Sequence, residues 1–139
     1  MLQLEPVIVA RLEAALPAGW VVKGDATSTG DRKPATDGGL AIVSLAGSAP
    51  PTAKGTAAQV APGWSVVLAG RKGSAAPALI DMAVQAAIGS LHNWMPGEVA
   101  GRRWEPFQLA QVSVPPLQDD GITGVELTFT TSGLFKGQS

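Results

Sequence analysis

Apolar residues recur with a helical period in two stretches of the chain and with a period of two near its end. These periods divide it into elements. Ile8, Leu12, Ala15 and Leu16 fall at i, i+4, i+7 and i+8, which predicts a helix over Glu5–Leu16 with Pro6 in its first turn. Pro17 and Gly19 close it, and a short extended stretch, Trp20–Lys23, follows. Leu40–Leu45 is apolar at nearly every position and is expected as a strand covered on both faces. Trp64–Ala69 reads as the next strand, and the turn Gly70–Gly73 leads into a second helix over Ala76–Asn93. Ser74 is placed to cap that helix, and Pro77 sits in its first turn. Asp81, Gln85 and His92 form a narrow polar stripe on it, so the wide apolar arc predicts burial on more than one side.

Met95-Pro96-Gly97 breaks the second helix, and Val99–Trp104 is expected as a connector. Strands over Phe107–Val114 and Ile122–Thr131 end the chain, the second alternating Val125, Leu127 and Phe129 with Glu126, Thr128 and Thr130. The turn residues PPLQDDG between them predict an antiparallel hairpin. The expected class is α+β: a mixed, mainly antiparallel sheet of four to five strands, two helices on one face, and a C-terminal β-hairpin. Gly24–Gly39 and Gly47–Ala58 are too polar or too rich in turn residues to bury much, and are expected as flexible loops of one domain spanning 1–139.

Composition changes this picture in one respect. Charged residues make up 15% of the chain, against about 25% in an ordinary soluble domain, and mean hydropathy is +0.19. Interface cores are depleted of charge, so the composition fits a subunit that completes its burial against other chains as well as it fits an alanine- and glycine-rich monomer. A net charge of -1 argues against a general or sequence-specific nucleic-acid binder, which needs a basic face. With no cysteine, disulfides, thiolate metal sites and thiol nucleophiles are excluded. No secretory signal and no apolar run near the roughly 20 residues of a membrane span is expected.

Candidate chemistry is sparse. Gly70-Arg71-Lys72-Gly73-Ser74 lies between a strand and a helix, but without the rest of a phosphate-binding loop it reads as a basic turn. His92 is the sole histidine; with no nucleophile elbow near a serine, it is expected to serve the helix dipole rather than catalysis. Asp119-Asp120 reads as turn chemistry rather than a metal site. Trp94 and Trp104 flank a Pro/Gly break beside Arg102 and Arg103, a combination enriched at interface hot spots, although a small satellite core under the connector with both arginines solvated is the favoured reading. No catalytic residue, metal ligand or cofactor site is assigned.

The start PVIVARLEAALP, the strand GWSVVLAGR running into APALIDMAVQAAIGSLHNW, and the ending VELTFTTSGLF resemble the tail terminator (tail completion) proteins of long-tailed bacteriophages of the Mu-like and lambda-like type. The resemblance is one of order, size and texture. It implies a non-enzymatic structural virion protein, made in the host cytoplasm and placed at the head–tail junction. Its partners would be further copies of itself in a homohexameric ring, the tail tube protein and a head-completion or connector protein. On that basis the flexible loops carry docking. Arg32, Lys33, Arg71, Lys72, Trp94, Arg102, Arg103 and Trp104 are the candidate interface residues. A different head–tail connector or neck adaptor, and a small enzyme with a dispersed site, are the alternatives.

Overall fold

The computed structural model describes residues 1–29, 33–35, 37–115 and 121–138. Helix α1 (Leu4–Ala15) buries Leu4, Ile8 and Leu12, one per turn, and stops where Pro17 forces Leu16 into extended backbone. Strand β1 (Trp20–Gly24) leaves from there. Next come β2 (Gly39–Lys54), β3 (Ala57–Arg71) and helix α2 (Ala76–Leu91), followed by the short pair β4 (Gly97–Val99) and β5 (Arg102–Trp104). The chain ends in β6 (Gln108–Ser113), β7 (Ile122–Thr130) and β8 (Gly133–Lys136).

Among the described residues the eight strands form one mixed sheet, more strands than the four or five that the hydrophobic pattern alone predicts. The class is α+β as expected. β1 lies parallel to β2, and the other pairings are antiparallel. β3 is the hub. Its residues 63–71 pair with β7, which pairs in turn with β6, while its residues 57–60 pair with β8. β8 hands the sheet on to β5 and β4. The β6–β7 pair is the antiparallel hairpin expected from the sequence.

Registers place Val22, Ala41 and Leu68 in line, and likewise Val43, Val66 and Leu127, and Trp64 with Phe129. These residues form the core together with Leu4, Ile8 and Leu12 of α1 and Ala83, Ala87 and Leu91 of α2. Both helices therefore cover the same face. Ala83 and Ala87 are fully buried and let α2 approach the strands closely; a leucine at either position would overpack the layer at a cost of about 1–3 kcal/mol. Contrary to the expected two-sided burial, α2 buries the single stripe Ala76, Ile80, Ala83, Ala87 and Leu91, and Met82 is 60% exposed. Val84 and Ile88 flank that stripe, half-buried against the core. β2 is covered on both faces at its start, where Leu40 is buried on the helix-free side, and on that side only half-covered further on, at Ile42 and Ser44. Ser74 does not cap α2; Ala75 holds the N-cap position without a side-chain bond.

The largest departure from the sequence reading is the segment 47–58. It forms an arm in which β2 and β3 run on as a hairpin to a turn at Gly55, whose φ of +63° suits glycine. Ala46 through Thr56 are exposed. The register shifts at Ala46 and at Pro50-Pro51, so the two prolines sit where no ladder hydrogen bond is asked of them. The Val99–Trp104 connector is also regular, as the β4–β5 hairpin with Ala100 and Gly101 at its turn.

Glu5 ties the start of the long β1–β2 connection to α1. Its side chain is fully buried and accepts the Ala26 N–H at 2.9 and 3.2 Å and the Thr27 hydroxyl at 3.4 Å. Gly24 has no room for a Cβ because the Glu5 carboxyl occupies that space. We expect Glu5→Ala to lower the free energy of unfolding by about 1–3 kcal/mol, through loss of the bonds that a fully buried acceptor makes to the connection. Glu5→Gln, which keeps an acceptor in place, should lose less; urea unfolding of the two variants checks the order.

Candidate assembly surfaces

The sequence-selected residues do not converge on one patch. Arg32 lies outside the described residues. Lys33 and Lys72 are exposed, and Arg71 is held by a hydrogen bond from its Nε to the Pro34 carbonyl at 3.1 Å. That bond fixes the loop across the end of β3, on the face of the sheet without helices. Leu40, 3% exposed, lies near this loop and lines one shallow hollow with Pro34 and Arg71.

The Arg–Trp cluster expected around Trp94 and Trp104 is divided between two sites. Trp94 is half-buried against Phe107, with ring centroids 5.3 Å apart, and the guanidinium above it is that of Arg11, at 5.2 Å. Arg11 Nε also donates to the Ser90 carbonyl at 3.1 Å, joining α1 to the end of α2. Trp104 is 2% exposed and edge-on to Phe135, so it belongs to the core and offers no surface to a partner. Arg102 lies 3.4 Å over the Phe135 ring and donates to the Leu134 carbonyl at 3.0 Å. Of the group, Arg103 alone is exposed.

Arg102 and Arg103 line a groove of about 710 Å³ with Lys54, Lys136 and Glu105. Lys54 and Lys136 escaped the sequence reading because each lies in a segment taken for loop or left unassigned. Their approach depends on β8 pairing with the arm, a contact of four residue pairs with no periodic signal.

His92 has a specific task that differs from the expected dipole role. Its Nδ1 accepts the Leu109 N–H at 3.0 Å, closing one backbone group at the start of β6. The Ser65 hydroxyl donates to Glu126 at 2.5 Å and the Ser113 hydroxyl donates to its other oxygen at 3.5 Å, a cross-strand polar network on the helix-free face. No group of three or more His, Cys, Asp or Glu side chains occurs among the described residues. No described helix is long and apolar enough to cross a membrane.

No family model matches the chain, and no curated protein matches it. The fold, however, recurs in a virion. A chain of the structure titled "Virion of native gene transfer agent (GTA) particle" superposes over 93% of this chain and 85% of its own length. The TM-score is 0.59 and sequence identity is 15%, so the likeness is one of fold.

Four backbone edges are without a strand partner among the described residues: the outer sides of β1 and β4, the arm's side of β2, and the outer side of β6. The outer side of β2 is paired with β1 only as far as Val43, leaving the arm's side open. The outer side of β6 is open along its length, with Val112 56% and, just beyond, Val114 86% exposed. Open apolar edges invite pairing with another chain unless charge or proline blunts them. Removing the imidazole by His92→Ala should speed amide hydrogen exchange at Leu109 while leaving the β7 amides protected. It should cost about 1 kcal/mol of stability.

Proposed function

We propose that this chain is a structural virion protein, a tail terminator of the long-tailed bacteriophage type. It forms a six-membered ring that caps the tail tube, stops tube growth and presents a surface to the head-completion proteins. The observation that carries the reading is the fold shared, over most of both chains, with a chain of a gene transfer agent virion. The sequence resemblance in order and texture supports it, as does a low charge content with Met82 on α2 and Val112 and Val114 at the β6 edge exposed. A ring needs two different patches on each subunit, because its contacts are head-to-tail. The separated arm and β6 edge supply two. No reaction or cofactor is assigned to the chain.

A head–tail connector or neck adaptor is the second reading, since the same fold likeness would serve it; a ring of other than six subunits would favour it. Native mass spectrometry and electron microscopy of the purified chain, alone and with tail tubes, decide between them. The expected result is a six-membered ring, closed in solution or on the tube end, and tubes that no longer elongate. A chain that stays a monomer or dimer and leaves tube ends bare would refute the proposal.

A further inference from the structure

We infer that the ring contact is a strand pairing in which the open β2 side of the arm of one copy lies antiparallel against the open β6 edge of the next. The inference rests on the ring reading and names its seam. Three observations converge on a second copy of this chain as the occupant.

First, polarity fits. From β2 through β3 and β7 to β6 each neighbour is antiparallel, so β6 runs opposite to β2 and lies on the other side of the sheet. β6 lies level with residues 42–47 of β2 in the same chain, so copies related by rotation about an axis inclined to the strands, as in a closed barrel, bring β6 against the arm of the next copy in the antiparallel sense.

Second, charge fits. The arm carries a single charge from Ser44 to Thr56, Lys54 near its tip, and the stretch from Glu105 to Val114 carries a single charge, Glu105 at its start. Laid antiparallel, the cationic end of one edge meets the anionic end of the other. The intervening residues, uncharged on both sides, desolvate without leaving a charge unpaired.

Third, the arm lacks internal support. A two-stranded ribbon is marginal in water, and this one projects with Ala46 through Thr56 exposed and only residues 57–60 of β3 flanked by β8. Backbone pairing with a neighbour supplies the third strand, by the same β-augmentation that lets extended segments join open sheet edges.

The chain has no cysteine, so two introduced thiols report this contact without background. Ala49→Cys on the arm and Val112→Cys on β6 are made singly and together. Each is treated with a flexible bis-maleimide of about 10 Å, the rise of three strand residues, which tolerates the register shifts at the bulges. The double variant should give a ladder of covalent species ending in a closed ring, and each single variant should stay uncrosslinked. A ring seen by native mass spectrometry with no ladder from the double variant overturns the seam and leaves the ring reading intact. Covalent dimers from Val112→Cys alone overturn it in favour of a two-fold β6–β6 contact. If the unmodified chain forms no ring, alone or with tube ends, the ring reading and the seam fall together.

Discussion

The register of β2, β3 and β7 is the constraint from which the rest of the molecule follows. Side chains alternate between faces, so one residue of slippage would carry Trp64, Val66 and Leu68 to the helix-free side and Ser65 and Val67 into the core. The register is held by the fit of large strand residues beneath small helix residues, Ala83 and Ala87 above all. It is also held by Gly124, where a Cβ would come within 2.5 Å of the Leu68 carbonyl. A side chain there would push β7 away from β3. Once that alignment is set, both helices must lie on one face, the polar Ser65–Glu126–Ser113 network must lie on the other, and Met82 of α2 is left in solvent.

The helices and the last hairpin were legible in the sequence because each repeats its period over two or more turns or pairs. Ile8 and Leu12 in α1, and Val125, Leu127 and Phe129 in β7, report their faces without help from distant residues. The arm was not legible. Glycine, alanine, serine and two prolines over residues 47–58 carry loop chemistry, and their strand conformation comes from pairing across the hairpin and with β8. Local propensity was overridden by partners that only the fold supplies. β8 itself is four residues long, too short to show a period.

The candidate surface was read less well, for a related reason. Sequence proximity put Arg102 and Arg103 beside Trp94 and Trp104, yet the fold gives Trp94 to Arg11, which precedes it by more than eighty positions, and seals Trp104 in the core. The charge-poor composition was the more faithful guide. It describes the outside of α2, with Met82, and the β6 edge, with Val112 and Val114, rather than an unusually large interior.

The continuity of β2 and β3 has a mechanical consequence. Each runs unbroken from the arm tip to the far end of the core, and β3 passes into α2 after a turn of four residues. A pull applied at the tip acts along the strands, so the cross-strand hydrogen bonds resist together in shear instead of parting one by one. The irregularities at Ala46 and Pro50-Pro51 are the points where the ribbon can bend under such a load. Whatever grips the arm is thereby coupled to the packing of α2 through one continuous strand.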